Sequence, residues 1–386
     1  MAINHLPMAV IGLVCLGVAV CYGLLTLTAV LTWRMRRPSP RASSRPPATL
    51  LKPLCGAEPS LYAHLRTFCQ QDYPDFQIVF GVRDPADPAL AVVQRLITEF
   101  PSLPIDVVVN PRLHGSNYKI GNLINMLELA RHDVLIIADS DTFVSPDYLS
   151  CVTEPLSDPG VGLVTCVYCD VPTNAIWSRL GAMYINEWYI PSALLAAFFG
   201  HRSYASGQTL CLRRQTLDRI GGFGAMANHL ADDHRLGELI RGLGLRIELS
   251  PTVVMAEHHE ADVDSLTRHE LRWMRTLHTL RPKSFRAIFL TFSLPLAFGG
   301  LLLTAAEPAL STTAWTLFLA AVAARLGLHF SHRMQVDRSA FGDLWLLPAR
   351  DLLLCWVWLR SFFTSRVTWR GDEFDVDANG IMHRPS

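Results

Sequence analysis

The stretch Val134-Leu-Ile-Ile-Ala-Asp139-Ser-Asp141 indicates both the fold class and the place of the site. Its five apolar residues are typical of a short buried strand, and two aspartates follow directly. Because alternate residues at a strand end point the same way, Asp139 and Asp141 can face one site. Carboxylates so placed suit a hard divalent cation bound to phosphate oxygens, and a solvated turn is the ordinary alternative.

The sequence around this stretch alternates between strand-like and helix-like segments. Apolar runs predict strands at 49–51, 77–82, 105–109, 134–138 and 162–166, and amphipathic runs predict helices at 61–71, 89–100 and 120–130. This alternation predicts an α/β domain at residues 48–280 with a Rossmann-like, mostly parallel sheet. Ligands bind such sheets beyond the carboxyl ends of the strands, which is where the acidic residues fall.

Composition indicates a polar body joined to a few membrane segments. Half of the 386 residues are hydrophobic and 18% are charged, which is apolar for a soluble protein. The net charge of zero argues against a nucleic-acid partner, which calls for a basic face. Nine cysteines without a disulfide framework favour a reducing compartment, and we interpret Cys166 and Cys169 as buried strand residues.

The first membrane segment is the uncharged run 8–31, which predicts a transmembrane helix at 7–33. A cleaved signal peptide is the alternative, but its positive charge would precede the apolar run. Here arginines follow it from Arg34 onward, so the positive-inside rule places the rest of the chain in the cytoplasm. The segment 34–47, rich in Pro, Ser and Arg, reads as a linker.

Further apolar runs lie after the α/β domain. Runs at 287–306 and 309–330 predict a transmembrane hairpin within 285–331. The stretch 344–364 includes Arg350 and Asp351, which are costly in hydrocarbon, so we predict an interfacial or re-entrant helix there. That reading leaves 365–386 as a cytoplasmic tail, and a further crossing is the alternative.

Two other polar groups follow strands or begin helices. Asp84 and Asp87 could accept hydrogen bonds from a uracil or ribose, although a Pro-Asp turn is the favoured explanation when they are taken alone. Lys119 opens a predicted helix, where a phosphate or base contact is natural and a surface lysine is the ordinary alternative.

Asp232 and Asp233 begin a helix after a glycine-rich loop. One of them can cap the helix while the other acts as a general base, and we assign the base to Asp233. We interpret the nearby sequence His258-His259-Glu260 as structural, because its spacing matches no metal-ligand pattern.

Arg268, Arg272 and Arg275 share one face of a predicted helix. Such a stripe anchors to anionic lipid head groups or clamps a diphosphate, and Trp273 would then form an aromatic wall for sugar or acceptor. Carboxylates for a cation, a carboxylate base and a guanidinium for the departing charge are the groups that a sugar-nucleotide transferase needs.

These motifs resemble the ceramide glucosyltransferase-like family of inverting GT-A glycosyltransferases, and within it the bacterial hopanoid biosynthesis-associated branch. The similar segments are Leu51-Lys-Pro-Leu54, Gln70-Gln-Asp-Tyr-Pro74, Asp84-Pro-Ala-Asp-Pro88, Asn122-Leu-Ile-Asn125, Ala138-Asp-Ser-Asp141, Ala231-Asp-Asp-His234, Arg268-His-Glu-Leu-Arg-Trp273 and Trp369-Arg-Gly371. The resemblance implies a cytoplasmic GT-A domain at 48–280.

The resemblance also implies roles for single residues. Catalysis would fall to Asp233, Arg272 and Trp273, and a Mn²⁺ or Mg²⁺ ion would bind at Asp139 and Asp141. The UDP-sugar would further contact Asp84, Asp87, Lys119, Asn122, Arg268 and His269. His269 stands where the family usually has Gln or Arg, so its own contact is open.

The implied function is sugar transfer from UDP to a lipid hydroxyl by a multi-pass protein of the bacterial inner membrane. In the hopanoid branch N-acetylglucosamine goes to bacteriohopanetetrol, and in the ceramide branch glucose goes to a sphingoid lipid. A processive polysaccharide synthase is a rival, but three spans are few for its channel. A non-catalytic lipid-binding or scaffold protein is the rival from another class.

Overall fold

The chain folds into two compact units. A computed structural model describes residues 6–36, 45–201, 205–336, 340–363, 366–369 and 372–384. The helical unit comprises Met1–Met35, Pro172–Phe199 and His259–Asp372, and the sheet unit comprises Arg36–Val171, Gly200–His258 and Glu373–Ser386. Most of the predicted linker, residues 37–44, lies outside the described residues.

The strands are β1 (Ala48–Pro53), β2 (Phe76–Val82), β3 (Ile105–Val109), β4 (Val134–Ile137), β5 (Thr142–Phe143), β6 (Val161–Asp170), β7 (Leu210–Arg213), β8 (Arg246–Ala256), β9 (Arg366–Trp369), β10 (Asp372–Val376) and β11 (Met382–His383).

The α-helices are α1 (Leu6–Arg34), α2 (Leu61–Cys69), α3 (Ala89–Glu99), α4 (Tyr118–Leu127), α5 (Tyr148–Thr153), α6 (Ile176–Tyr184), α7 (Ile190–Phe198), α8 (Arg214–Arg219), α9 (Asp232–Gly242), α10 (Val263–Leu280), α11 (Pro282–Arg286), α12 (Ser293–Thr304), α13 (Ser311–Val336) and α14 (Leu347–Arg360). Short 3-10 segments lie at Glu154–Ser157, Phe223–Met226, Ala287–Thr291, Pro308–Leu310 and Ala340–Leu346, and a π-helical turn, Ile185–Tyr189, joins α6 to α7.

The sheet unit is built on one sheet of strand order β3-β2-β1-β4-β7-β6-β8-β5. Strands β1, β2, β3 and β4 are parallel, and β6 is parallel to β8. Strand β7 runs antiparallel to both β4 and β6, so those two strands point the same way. The predicted α/β class with a mostly parallel sheet is confirmed.

The core of the sheet unit lies between this sheet and helices that cover it. Leu51 and Ile137 from neighbouring strands pack with Ile120 of α4 and Leu236 of α9, and all four are at most 2% exposed. Burying one such side chain stabilises the fold by about 1.5–3 kcal/mol. The wholly apolar stretch that ends at Ile137 is therefore a central strand of this core.

Two long strands differ from the sequence-based prediction. Strand β6 continues to Asp170, beyond the predicted 162–166, and β8 was not predicted. Pro251 obscured β8, because proline usually interrupts a strand. In the structure it lies at an irregularity, where the partners of Cys166 and Val167 jump from Ser250 to Val253. Such a bulge accommodates a residue that has no N–H to donate.

Among the described residues of the helical unit, two helices are long and apolar enough to cross a membrane, Leu6–Arg34 and Pro308–Arg333, or three if a bent pair is one span. The first of these is the predicted N-terminal helix. Helices α1 and α12 approach closely at two glycines. A Cβ added at Gly12 would lie 2.6 Å from the Gly300 carbonyl oxygen, and the reverse also holds. Small residues allow such close packing of membrane helices.

The first arm of the predicted hairpin is not a straight span. Its helices Pro282–Thr291 and Ser293–Thr304 meet at an angle of 69°. Helix α12 has 12 residues, so its rise of roughly 18 Å is shorter than a bilayer core. The second arm, Pro308–Arg333, is continuous. Helix α14, in the stretch predicted to be interfacial, has 14 residues.

The boundaries of the units differ from the predicted domain 48–280. Residues Pro172–Phe199 and those from His259 onward group with the helical unit. The reason is visible in the sequence, because Ile176–Phe198 and α10 carry apolar faces that pack among the helices of that unit, as Leu180 and Leu266 do. Residues 373–384, within the predicted tail, belong instead to the sheet unit.

Candidate functional site

One edge of the sheet collects the carboxyl ends of β1, β2, β4, β6 and β8, since these strands run in the same direction. Asp139 follows β4, Asp170 ends β6 and His258 follows β8. Open α/β sheets bind ligands at this edge. The acidic residues predicted from the sequence therefore lie at the edge where a ligand is expected.

Lys119 joins two of the predicted acidic groups. The Asn117 side chain accepts a hydrogen bond from the Ile120 N–H at 3.0 Å and so caps α4. In the first turn, the Lys119 Nζ lies 2.6 Å from Asp139 Oδ1 and 3.7 Å from Asp232 Oδ2. Although burial disfavours its charge, these two carboxylates raise the pKa of Lys119 above its ordinary value.

Asp233 lies beside this group in the first turn of α9. Its carboxylate accepts hydrogen bonds from the Gly207 N–H at 3.1 Å and from its neighbour His234 N–H at 2.7 Å. Burial, reinforced by the negative charge of Asp232, raises the pKa of Asp233 to about 6. A carboxyl group with this pKa is ionised at neutral pH and basic enough to accept a proton.

Gly207 permits this close arrangement because it has no side chain. A Cβ at this position would lie 3.0 Å from Asp139 Oδ2 and 3.1 Å from Lys119 Nζ. The backbone thus comes close to both the acidic turn and the lysine. Gly207 was not singled out in the sequence, since only the folded chain places it before β7 and against Asp233.

Lys52 supports the acidic turn from inside the sheet. Its side chain is fully buried in β1, and its Nζ donates a hydrogen bond to the Asp139 backbone oxygen at 2.5 Å. Burial lowers the pKa of Lys52 to about 7, against the opposing pull of Asp139 and Asp141. In the sequence analysis this lysine appears only within the motif Leu51-Lys-Pro-Leu54 and has no role of its own, because it directly follows the apolar end of the predicted strand 49–51.

Asp141 has one carboxylate oxygen that a cation could use. Its Oδ1 is buried and has no hydrogen-bond partner within the described part of the chain. Its Oδ2 lies 3.4 Å from His258 Nε2, and His258 Nδ1 lies 2.7 Å from the buried Asp170. His258 therefore lies between Asp141 and Asp170 beside the acidic site, and its interpretation as structural stays a prediction.

These groups offer a partial set of metal ligands. No cluster of three or more His, Cys, Asp or Glu side chains in a ligand arrangement occurs among the described residues. The unpaired oxygen of Asp141 nonetheless fits a divalent ion that takes its remaining ligands from substrate phosphates and water. Asp139 contributes less freely, because Lys119 already holds its carboxylate.

Two residues predicted to contact the nucleotide, Asp84 and Asp87, accept hydrogen bonds from backbone N–H groups. Asp84 Oδ1 accepts a hydrogen bond from the Ala86 N–H, and Asp87 accepts from the N–H groups of Gly56 and Ala89. The contacts with Ala86 and Ala89 are those of the Pro-Asp turn that was the alternative reading, whereas the contact with Gly56 joins this turn to the segment after β1. Their role toward a nucleotide stays a prediction.

Asn122 is buried and donates a hydrogen bond to the Gly81 backbone oxygen at 2.7 Å. It thereby joins α4 to β2 through its amide nitrogen, while its Oδ1 is buried and has no hydrogen-bond partner within the described part of the chain. Its predicted contact with the nucleotide has no support from these contacts.

A hairpin of β10 and β11 packs against the same region of the sheet unit. Phe374 is fully buried, with its ring edge-on to Tyr118 at 6.3 Å. The Met382 N–H donates to the Asn228 backbone oxygen at 2.8 Å, and the Leu230 N–H donates to that of Gly380 at 2.9 Å. The hairpin thus contacts Tyr118, the neighbour of Lys119, and the segment 228–230, which shortly precedes Asp232.

The remaining predicted residues lie in the helical unit on α10. Arg268 is exposed and Arg272 is half-buried. His269 Nδ1 lies 2.7 Å from Glu260 Oε1, and its ring centre is 4.0 Å from that of Trp273. The Trp273 ring stacks in turn on Tyr184 at 5.4 Å. His269 and Trp273 therefore form one ordered aromatic group.

The helical unit also buries a network of charges. Glu187, in the π-helical turn, lies 2.6 Å from Arg325 and 2.7 Å from His329, and Arg325 continues to Asp351 at 3.1 Å. Buried charges in membrane helices are costly and commonly functional, and π-turns commonly occur at functional sites. This network explains the Arg-Asp pair in the stretch predicted to be interfacial, because Asp351 has a buried partner.

The family model and the curated proteins that are similar to this chain are those of glycosyltransferases. The family model described as "Glycosyl transferase family 21" matches residues 11–382. The chain is 22% identical over 363 residues to ceramide glucosyltransferase 3 of Caenorhabditis elegans, a match that covers 92% of this chain and 78% of that protein. It is 23% identical over 239 residues to ceramide glucosyltransferase 1 of the same organism, covering 61% of this chain and 51% of that protein. The chain thus spans about half the length of this second relative.

A solved structure has a similar fold. The mannosyltransferase PcManGT from Pyrobaculum calidifontis, in complex with GDP-Man and Mn²⁺, aligns with a TM-score of 0.54 and 20% identity. The alignment covers 92% of this chain and 99% of that one. At this identity the likeness concerns the fold, which is of the GT-A type.

Proposed function

Because this chain belongs to glycosyl transferase family 21, we propose that it transfers one sugar from a UDP-sugar to the hydroxyl group of a membrane lipid. The resemblance found in the motifs is confirmed at family level, and the chain is a hexosyltransferase. The observation that carries the proposal is the group of Lys119, Asp139, Asp232 and Asp233, held together at the ligand-binding edge of the sheet.

Asp233 would act as the general base. Its pKa of about 6 keeps it ionised at neutral pH, and its two backbone donors fix the carboxylate in place. It would take the proton of the acceptor hydroxyl as that oxygen attacks the anomeric carbon from the side opposite to the UDP. This in-line displacement inverts the anomeric configuration.

A divalent cation, Mn²⁺ or Mg²⁺, would be held mainly by Asp141, with Asp139 beside it. Lys119 offsets one of the four negative charges of Asp139, Asp141, Asp232 and Asp233, and Lys52, with its pKa lowered to about 7, offsets part of another. The negative charge that remains favours a divalent ion. When bound, such an ion neutralises the diphosphate and makes it a better leaving group.

Arg272 and Trp273 of the helical unit would serve the same reaction. A guanidinium stabilises negative charge on a departing diphosphate, and an ordered indole provides an apolar wall for a sugar or acceptor. The stacking of Trp273 on Tyr184 supports the second role, since it fixes the indole plane.

The lipid acceptor has two candidates. The hopanoid-like motifs favour N-acetylglucosamine transfer to bacteriohopanetetrol at the bacterial inner membrane. The names of the relatives favour glucose transfer to ceramide, which we therefore propose as the second candidate function. The two candidate spans support a membrane site for either acceptor.

The test is an assay of the purified full chain with each UDP-sugar and each lipid, read by mass spectrometry. A single added hexose or N-acetylhexosamine supports the proposal, and a ladder of sugars would support a polysaccharide synthase instead. Asp233→Asn should lower transfer by about 10²- to 10⁴-fold while UDP still binds. The matched control is Asp218→Asn, at an exposed position of α8, which should keep full activity. Unchanged transfer by the Asp233 variant would refute the assigned base.

A further inference from the structure

We infer that Lys52 is a positioning residue that fixes the acidic turn Asp139–Thr142 for donor binding, an inference that rests on the proposed function. Lys52 is a basic residue in the central strand β1, with none of its surface exposed. Its neighbours on the strand, Leu50 and Leu51, are buried apolar residues of the kind expected there. A lysine at such a position requires an explanation.

The ammonium group has partners that belong to the turn. It donates to the Asp139 backbone oxygen at 2.5 Å, and the Thr142 Oγ1 lies 3.5 Å away. The Thr142 hydroxyl donates to the same Asp139 oxygen at 2.7 Å. Lys52 therefore contacts both ends of the turn, whereas Asp141 lies between them.

The core does not need this lysine for packing. An apolar side chain of similar length would avoid the cost of burying a charge, which is large unless the charge has partners. The ring of Phe68, centred 3.7 Å from the Nζ atom, compensates part of that cost. The turn offsets a further part of that cost, through the Asp139 backbone oxygen and the charges of Asp139 and Asp141.

Two lysines therefore hold Asp139 in different ways. Lys119 binds its carboxylate at 2.6 Å, and Lys52 binds its backbone oxygen from the interior. With both ends of the turn fixed, the carboxylate of Asp141 keeps one orientation toward the ligand edge. A preformed orientation lowers the cost of binding a cation and a diphosphate.

The experiment compares Lys52→Met, which keeps the length of the side chain, with Leu50→Val as a control for a disturbed core. UDP binding in the presence of Mn²⁺ is measured by titration calorimetry, and KM is measured for donor and acceptor separately. We expect Lys52→Met to weaken UDP–Mn²⁺ binding and to raise the donor KM by about tenfold or more. The acceptor KM should change by less than about twofold, because the inference assigns this turn to the donor.

Unchanged UDP–Mn²⁺ binding by Lys52→Met would overturn the inference. It would also be overturned if Lys52→Met raised the donor KM and the acceptor KM equally, and by as much as Leu50→Val does. If Lys52→Met does not fold, Thr142→Val replaces it, since this variant removes the second donor to the Asp139 oxygen. It should then raise the donor KM alone, and an unchanged donor KM would overturn the inference. Failure of the wild-type chain to bind UDP with Mn²⁺ would contradict the proposed function instead.

Discussion

The Arg350 guanidinium donates two hydrogen bonds to the Glu270 carboxylate, at 2.5 and 2.8 Å, and both side chains are buried. The pair connects α14 to α10, the helix that carries Arg272 and Trp273. A buried ion pair adds little net stability, but removing one partner leaves the other charge without compensation.

Glu270→Ala should therefore lower the free energy of unfolding by about 3–5 kcal/mol. Thermal unfolding of the detergent-solubilised protein measures this loss. Glu238→Ala removes a carboxylate that is 54% exposed and pairs with Arg235 on the surface, so its effect should stay below about 1 kcal/mol. The double variant Glu270→Leu, Arg350→Met should recover most of the loss. A Glu270 variant as stable as the Glu238 variant would contradict this account.

The rate of transfer should depend on pH through Asp233. The pKa of this carboxyl is raised to about 6, and the base must be ionised to accept a proton. Activity should therefore be half-maximal near pH 6, fall below it and level off above about pH 7. A pH profile of kcat/KM, which reports the pKa of the base in the free enzyme, checks this. A rate that does not fall between pH 7 and pH 5 would contradict the assignment.

Lys119→Met should shift the pH of half-maximal activity upward from about pH 6. The positive charge of Lys119 lowers the pKa of Asp233 and partly offsets its burial, so the pKa rises further when the charge is lost. The same variant frees the carboxylate of Asp139 and should raise the donor KM by about tenfold. Lys283→Met is the matched control, because Lys283 is exposed and is the third and last lysine of the sequence. A half-maximal activity that stays near pH 6 in this variant would show that Lys119 does not act on Asp233.

Asp141→Asn should weaken cation binding. The loss of one negative charge at the proposed ligand should raise the Mn²⁺ concentration for half-maximal activity by about tenfold or more. Electron paramagnetic resonance of free Mn²⁺ measures the same affinity without turnover. Chelation by EDTA should abolish transfer by the wild-type chain, and added Mn²⁺ should restore it. Full activity in EDTA would mean that no divalent ion is required.

Sequence patterns predicted the fold well where local signals were strong. The apolar stretch 134–138 followed by two aspartates gave a central strand and its acidic end, because both the burial and the turn are local properties. Strand β8 was missed because Pro251 interrupts its pattern, and only the pairing with β6 accommodates that proline.

The candidate site was predictable only in part, for a related reason. Asp139, Asp233 and Lys119 stand at strand or helix ends, where polar residues attract notice. The contact of His258 with Asp170 could not be predicted, because Asp170 lies 88 residues earlier in the chain. Lys52 was overlooked because one polar residue in an apolar run carries no sign of the turn, 87 residues away, that it supports.

The division of the sheet unit among three separate stretches of the chain has a consequence for biosynthesis. The hairpin of β10 and β11 is translated after α13 and α14, yet it packs beside the helices that begin with Tyr118 and Asp232. The ribosome must therefore deliver the membrane helices before this unit can complete its fold. A nascent chain that stalls before Phe374 would contain the acidic residues without the hairpin that packs beside them. Translation order therefore delays completion of the enzyme until its membrane helices have been synthesised.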